Sequence, residues 1–155
     1  MKGTVILMKI NTRDFGEIDV NEDDILTFPF GLYGFEELRK FALLTDPEKQ
    51  LEGVYWLQSL EEPNLCFIVF NPCDLISDYK PKLSAYELDS IELCDFDKMQ
   101  YFCIAVIRND FYKSTINLFA PIVVNLQTNV AKQIISESDT YSMRHPLSAF
   151  LPKEG

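Results

Sequence analysis

Groups that carry catalysis are scarce in this sequence. It contains one histidine, His145, and six glycines in 155 residues, and neither G-x-G-x-x-G nor G-x-x-x-x-G-K-[ST] occurs. Those glycine-rich loops cradle phosphates, so their absence speaks against a nucleotide-dependent enzyme. His145 lies in "RHPL" without a local signature of a nucleophile and its base, and we expect a structural role for it. The sequence therefore favours a binding protein over an enzyme.

Long hydrophobic runs and metal-ligand patterns are also missing. The longest apolar runs, such as "LCFIVF" (65–70), fall far short of the roughly 20 residues of a membrane-spanning helix. The N-terminal apolar block is too small for a secretory signal, and Met8 offers a second start that would make residues 1–7 an N-terminal extension. The four cysteines show no C-x-x-C pair and no zinc-ligand spacing, so we expect reduced thiols. We expect a cytoplasmic protein without metal or cofactor.

Positive charge is in deficit. The chain has 24 acidic and 14 basic residues, a formal net charge of −10, and two acidic blocks without Lys or Arg. The first block holds Asp14, Glu17, Asp19, Glu22, Asp23 and Asp24, and the second holds Glu87, Asp89, Glu92, Asp95 and Asp97. Nucleic-acid binding needs the opposite charge, which speaks against direct contact with RNA or DNA. A basic protein partner fits the blocks, and a merely solvated acidic surface is the alternative.

Short alternating segments dominate what is present. Strands are predicted at 8–12, 15–20, 24–28, 53–60, 65–70, 101–108, 114–120, 122–126 and 131–136. Helices are few: 83–93, where Ser84 and Glu87 form a capping box, a short helix at 34–41, and a helical turn at 71–75. This density of strands predicts an all-β, mainly antiparallel barrel or sandwich. We expect a single domain over residues 1–155, with 148–155 as a C-terminal tail.

The segment "ILTFPFGLYGFEELRKF" (25–41) concentrates aromatic residues around one proline and two glycines. Periodicity places Phe28, Phe35 and Phe41 in the core, together with Trp56. The turn shaped by the proline and glycines leaves Phe30, Leu32 and Tyr33 free to face a partner. Asn117, Pro121 and Asn125 are expected to form a strand bend, because proline cannot donate to a ladder. Arg144 and His145 are expected to hold the C-terminus in place.

Several segments resemble the flagellar assembly factor FliW family in order and spacing. They are "KINTRDFGEI" (9–18), "ILTFPFGLYGFEELRKFALL" (25–44), "YWLQSLEEPNLCFIVFNP" (55–72), "INLFAPIVVNLQTNVAKQII" (116–135) and "YSMRHPL" (141–147). The resemblance covers residues 8–147. It departs from the family pattern at Phe30, where family members usually carry a polar or charged residue, and over 77–100, which matches mainly through its acidity.

The resemblance implies a small closed or partly open β-barrel-like domain with a few short helices and no catalytic activity. It also implies two cytoplasmic partners, flagellin and the carbon-storage regulator CsrA, a basic RNA-binding dimer that represses translation of flagellin mRNA. Free FliW-like protein would antagonise CsrA by an allosteric route, and a direct acidic mimic of RNA is the competing mechanism. A flagellin-specific export chaperone without a regulatory role is the alternative function. We expect a monomer on its own.

The predicted partner-binding residues fall into two groups. The leading group lies on the aromatic turn, and the second lies on the predicted acidic helix. The candidates are Phe30, Leu32, Tyr33, Glu36, Glu87 and Asp89. The sequence does not assign either group to a particular partner.

Overall fold

The computed structural model describes residues 6–48 and 53–151. Its strands are β1 (Leu7–Thr12), β2 (Gly16–Asn21), β3 (Ile25–Thr27), β4 (Lys40–Leu44), β5 (Val54–Ser59), β6 (Cys66–Phe70), β7 (Met99–Val106), β8 (Thr115–Ile116), β9 (Ile122–Asn125), β10 (Val130–Gln133) and β11 (His145–Pro146). Within the described residues there is one α-helix, α1 (Ala85–Asp89). The 3-10 turns are Glu22–Asp24, Pro72–Asp74, Phe96–Lys98, Phe111–Lys113 and Leu147–Phe150. No helix in these ranges is long and apolar enough to cross a membrane.

Seven strands close into a barrel. They pair in the order β7, β6, β5, β4, β3, β10, β9, and β9 pairs back onto β7. These pairings are antiparallel except for β10 with β3, which is parallel. The predicted all-β, mainly antiparallel barrel is confirmed, and β4 and β11 are strands that the sequence patterns do not predict.

The barrel closes along β7, and the strand that pairs with β7 on this side is interrupted between β8 and β9. β8 and β9 both pair with the same strand, β7, and residues 117–121 separate them. The Asn117 Oδ1 accepts the backbone N–H groups of Phe119 and Ala120 at 3.1 and 3.0 Å. Pro121 has no N–H to donate, so the ladder breaks there. The bend expected at Asn117 and Pro121 is confirmed, whereas Asn125, predicted in the same bend, ends β9 and caps the following turn.

Apolar clusters lie on both faces of the barrel wall. Successive β7 residues alternate between them, because side chains along a strand point to opposite faces. Phe102 belongs to the barrel interior and Cys103 to the cluster outside it. The interior holds Phe28 and Phe41, whose rings meet edge to face at 5.2 Å. Burial of such a side chain stabilises the fold by about 1.5–3 kcal/mol, which makes these two predicted core residues anchors of the barrel.

The hairpin β1–β2 packs on the outside of the barrel. Its buried side chains Ile10 and Val20 form a cluster with β4 residues, and Trp56 packs partly buried against it. At the hairpin turn the Arg13 guanidinium donates to the Cys66 carbonyl at 2.8 Å, and the Arg13 N–H donates to the buried Gln58 side chain at 2.9 Å. The hairpin is therefore joined to the β5–β6 turn. β1 begins at Leu7, and residues 1–5 of the predicted extension lie outside the described residues.

Of the three predicted helical segments, one is wrong, one is shorter than predicted and one is confirmed. The helix at 34–41 is wrong: residues 34–39 form turns and Lys40 begins β4. The helix at 83–93 is shorter than predicted, although Ser84 caps it as expected by accepting the N–H groups of Tyr86 and Glu87. It ends early because Glu92 adopts a left-handed conformation, with φ of 57°. The helical turn predicted at 71–75 is confirmed as Pro72–Asp74.

The C-terminal segment is folded against the barrel through Phe150. His145 pairs with β8, and its ring lies 5.1 Å from that of Phe150, which packs against the outer apolar cluster. The predicted tail 148–155 thus begins inside a 3-10 turn, and residues 152–155 lie outside the described residues. The structural role expected for His145 agrees with this packing.

Candidate functional site

An aromatic loop connects β3 to β4 at one end of the barrel. We call residues 30–35 the tip. Phe30 and Tyr33 are 50% and 55% exposed, as predicted, and Phe35 is 39% exposed. Two expectations are wrong: Leu32 is 1% exposed and packs into the barrel core, whereas Phe35 lies outside it against the Phe67 ring. The exposed aromatic residues of the tip are therefore Phe30, Tyr33 and Phe35.

Two glycines explain this exchange of buried and exposed residues. Gly31 and Gly34 have φ of 66° and 88°, in the left-handed region that favours glycine. Between them the chain reverses, and the Phe35 N–H donates to the Leu32 carbonyl at 2.8 Å. The reversal turns Leu32 inward and carries Phe35 to the surface. The sequence places Leu32 on the exposed turn and Phe35 on the core side of a helix at 34–41, and neither expectation allows for this reversal.

Hydrogen bonds hold the tip in one position. The Tyr33 N–H donates to Gln133 Oε1 at 3.1 Å, and the Gln133 amide donates to the Ala120 carbonyl at 3.3 Å. The Arg39 guanidinium donates to the carbonyls of Pro29 and Glu36, which lie on opposite sides of the loop. A surface held in this way loses little conformational freedom when a partner binds.

Lys132 of β10 connects the tip to α1. Its ammonium lies 4.3 Å from the centroid of the Phe30 ring, forms an ion pair with the Glu87 carboxylate, and donates to Ser90 Oγ at 3.0 Å. The Lys132 side chain is only 12% exposed, so the pair is shielded from solvent. A cation over an aromatic face is attracted by the ring, which fixes Phe30 while leaving half of it exposed. The two groups of predicted residues are thus neighbours in space.

The cleft under the tip is small. Its volume is about 70 Å³, and Phe30, Tyr33, Glu36, Lys132 and Gln133 line it. Pockets that hold drug-sized ligands measure roughly 300–1,000 Å³. The cleft is therefore much smaller than a pocket for a drug-sized ligand, and the tip presents an exposed aromatic surface beside it.

The two acidic blocks meet at the turn between β9 and β10. The Asn129 side chain donates to the Asp23 carbonyl at 2.9 Å, on one side of this turn. On the other side the Asn125 side chain donates to the carbonyls of Ile91 and Glu92 at 3.0 and 3.3 Å. Asn125 thus joins the second acidic block to the barrel in addition to accepting the Gln127 N–H in the turn.

The carboxylates around this turn form what we call the acidic face. Its members are exposed and lie in the segments on either side of the turn. They are Glu22, Asp23, Asp24, Asp89, Glu92, Asp95 and Asp97. Leu126, at the start of the turn, is 47% exposed, and its N–H donates to the Lys98 carbonyl at 2.8 Å. The face therefore combines negative charge with an exposed aliphatic side chain.

Like charges crowd one another on the acidic face. The pKa of Asp24 is raised above its ordinary value, first by partial burial and then by the negative charge of Asp23. A nearby positive charge would favour the ionised carboxylates, so a basic partner would relieve this repulsion. Among the described residues, no cluster of His, Cys, Asp and Glu has the geometry of a metal site.

Comparison with known proteins identifies the family. The family model described as "FliW protein" matches residues 9–147. The chain belongs to the FliW family. The flagellar assembly factor FliW of Bdellovibrio bacteriovorus is 38% identical over 140 residues, which cover 90% of this chain and 79% of that protein. That of Lachnospira eligens is 37% identical over 150 residues, covering 95% of this chain and 99% of the relative.

A solved structure agrees with this assignment. The crystal structure of a flagellar assembly factor FliW aligns with a TM-score of 0.81 at 29% identity, and the alignment covers 96% of this chain and 100% of that one. Membership in the FliW family assigns the chain a role in flagellar assembly. The resemblance inferred from the sequence motifs is confirmed.

The predicted FliW site residues now have definite positions. Phe30, Tyr33, Glu36 and Asp89 are exposed, Leu32 is buried, and Glu87 is engaged by Lys132. Sequence reasoning missed Phe35, Tyr86, Leu126 and Lys132. Tyr86 is 79% exposed on the solvent side of α1, a position that the helical period of the segment could have indicated. For Lys132 the sequence carried no signal, because its partners come from distant segments.

Proposed function

We propose that this FliW-family protein is a non-enzymatic assembly factor that binds flagellin in the cytoplasm and, when free, binds and antagonises CsrA. Antagonism would relieve repression of flagellin mRNA translation. The acidic face, in which two blocks distant in sequence surround an exposed leucine, is the observation that carries the proposal. Its charge is opposite to that expected of an RNA-binding regulator. Complementary charges speed encounter, and a central apolar contact slows dissociation.

The acidic face is the proposed CsrA site. Carboxylates on both sides of Leu126 would steer a basic dimer, and Leu126 would supply the desolvated contact. The face would bind the RNA-incompetent state of CsrA more tightly than the competent one. The population of CsrA then shifts by no more than that difference in affinity.

The tip is the proposed flagellin site. Its exposed aromatic rings are held by the Gln133 and Lys132 contacts, and rigid aromatic residues are typical anchors of protein interfaces. Because Lys132 also contacts α1, binding at the tip can influence the neighbouring acidic face. This contact offers a route by which flagellin and CsrA could exclude each other.

Charge reversal tests the CsrA assignment. The variant Asp23→Lys/Asp97→Lys alters the acidic face. The matched control Glu17→Lys/Glu62→Lys makes the same change in net charge at the start of β2 and in the β5–β6 turn, at exposed positions outside that face. We expect the first to weaken binding to purified CsrA at least tenfold in calorimetry at low salt. The physical reason is the loss of the electrostatic attraction that speeds association. The control is expected to change the affinity less than threefold. Equal losses in both variants would show that net charge, and not this face, attracts CsrA.

Tip variants test the flagellin assignment. Phe30→Ala/Tyr33→Ala removes two exposed rings, and we expect it to weaken flagellin binding at least tenfold while leaving CsrA binding within threefold. The exposed Tyr112→Ala, on the 3-10 turn after β7, is the control. Unchanged flagellin affinity in the tip variant would exclude the tip as the flagellin site.

A titration separates allostery from mimicry of RNA. CsrA bound to labelled RNA is titrated with the protein. The complexes are separated by size, and the signal of the label shows which of them contain RNA. An allosteric mechanism predicts a ternary complex in which RNA dissociates faster, whereas mimicry requires the two ligands to exclude each other.

The alternative function is an export chaperone that binds flagellin and has no regulatory role. Purified CsrA that fails to bind the wild-type chain in calorimetry would favour it. Catalysis by His145 is the remaining alternative, and the packing of His145 against Phe150 supports a structural role instead. We expect His145→Ala to retain both partner affinities.

A further inference from the structure

A second surface feature lies apart from the acidic face. A groove of about 500 Å³ opens beside the C-terminal half of β7, next to β8 and residues 143–144. Its lining residues come from β7, β8, β10 and the three loops that follow these strands. They are Ile104, Val106, Arg108, Lys113, Thr115, Asn117, Gln133, Met143 and Arg144. The volume lies within the range of clefts that hold ligands.

The charge of this groove is opposite to that of the chain. Three of its lining residues are basic, and none is acidic, on a protein whose net charge is −10. Arg108, Lys113 and Arg144 are exposed, and no ion pair involves them within residues 6–48 and 53–151. Asp110 is close in sequence, but its carboxylate accepts the Tyr112 N–H and does not line the groove. Three unpaired cations in one groove of an acidic protein mark a site for negative charge.

Aliphatic side chains form the rest of the wall. Ile104 packs against the barrel core, and Val106, two residues further along β7, lies on the same face and is exposed. Met143 also lines the groove and is exposed, and methionine adapts to varied apolar partners. Gln133 lines this groove and also the cleft under the tip, so the two features adjoin. The groove therefore combines cationic and aliphatic contacts.

We propose that this groove docks an extended acidic segment of a partner protein. Carboxylates of the segment pair with Arg108 and Arg144, and an aliphatic side chain between them packs against Val106 and Met143. Guanidinium groups suit this task because they bind carboxylates in a bidentate manner. The same charges repel a basic partner, so the groove and the acidic face select partners of opposite charge. The inference does not depend on which partner binds the acidic face.

A peptide selection tests the proposal. A library of random seven-residue peptides is selected on the full chain, and the enriched peptides are measured by fluorescence anisotropy. We expect them to carry net negative charge with at least one aliphatic residue. On Arg108→Glu/Arg144→Glu we expect at least tenfold weaker binding, and on the control Lys82→Glu/Lys98→Glu less than threefold. Both control positions are exposed and neither lines the groove.

Chemical-shift mapping on the wild-type chain keeps the test decisive even if the groove variant folds poorly. Enriched peptides are expected to shift the amide signals of Val106, Thr115 and Met143 more than those of the acidic face. Three results would overturn the proposal: no enrichment of acidic peptides, equal affinity for both variants, or shifts confined to another surface. Sedimentation that shows a dimer lost in Arg108→Glu/Arg144→Glu would also overturn it, by making a second copy the occupant.

Discussion

Replacement of Gly31 by alanine is the sharpest test of how the tip is built. Gly31 has φ of 66°, and a Cβ placed on it would lie 2.5 Å from the Glu36 Cα and 2.6 Å from the Glu36 carbonyl oxygen. Both atoms belong to the backbone, so no side-chain rotation relieves the clash. Gly34 lies in the same loop with φ of 88°, but a Cβ there meets nothing within 4 Å. It provides the matched control.

The two substitutions therefore differ in one respect. Both place an L-residue in the left-handed region, which costs about 1–2 kcal/mol. Gly31→Ala adds a steric conflict, and such overpacking costs about 1–3 kcal/mol. The expected loss in the free energy of unfolding is about 2–5 kcal/mol for Gly31→Ala and about 1–2 kcal/mol for Gly34→Ala. With an m-value of roughly 2 kcal/mol/M, the urea midpoint of Gly31→Ala falls by about 1–2.5 M.

Urea unfolding followed by far-UV circular dichroism measures both variants against the wild type. An unchanged m-value is expected, because each variant unfolds from the same barrel. The proposed flagellin site gives a second measurement, and Gly31→Ala is expected to weaken flagellin binding more than Gly34→Ala. If Gly31→Ala destabilises the protein no more than Gly34→Ala, the close packing of Gly31 against the Glu36 backbone does not determine the conformation of the tip.

Further predictions follow from charges and thiols. Lys132→Met should lower the free energy of unfolding by about 1–3 kcal/mol because it leaves the Glu87 carboxylate unpaired, and adding Glu87→Gln should recover at least half of this loss. The hydrogen bond from Arg13 holds the pKa of Asp14 below its ordinary value, so this pair stabilises the protein at neutral pH and loses its effect as the pH falls. Asp14→Asn should therefore destabilise the chain by less than about 1 kcal/mol at pH 7, given its exposure, and not at pH 2. Burial raises the pKa of Cys73 and, more strongly, the pKa of two deeper thiols, to about 11 and about 12. The two deeper thiols are Cys66 and Cys103. At pH 8 a disulfide reagent should react rapidly with the other two cysteines, which are exposed, and with these only after unfolding.

Each prediction has an outcome that would contradict it. If Glu87→Gln does not restore the stability lost in Lys132→Met, Lys132 stabilises the protein through its aliphatic side chain and not through its charge. A stability difference for Asp14→Asn that persists at pH 2 would exclude the ion pair as its cause. If all four thiols reacted at the same rate in the folded protein, the burial of Cys66 and Cys103 would be contradicted.

Local patterns predicted most strands of the barrel. Period-two alternation identified β1, β2 and β3, because one face of each strand is buried, and the turn-rich "EEPN" between two apolar segments identified the hairpin β5–β6. β4 was missed because "RKFALL" also suits the end of a helix, and only pairing with β3 and β5 makes it a strand. The capping serine of α1 was recognised correctly, since its hydrogen bonds are local to the motif.

The site was predicted in part. The turn around Gly31 predicted the exposure of Phe30 and Tyr33, but the sequence patterns exchanged the positions of Leu32 and Phe35. The direction of these side chains depends on the left-handed conformations of Gly31 and Gly34, and both conformations belong to a loop that is held by Arg39 and Gln133. A period of 3.6 residues has no meaning in such a loop.

The sequence by itself determined the fold class, the family motifs and the excess of negative charge, because strand period, turn residues and charge are properties of short segments. Tertiary structure alone decided where the charges collect. Asn125 and Asn129 bring acidic blocks about seventy positions apart to one turn, and Lys132 brings α1 to the tip. The unpaired cations of the groove likewise come from separate elements. Such contacts join residues that no local pattern relates, so only the closed barrel places them together.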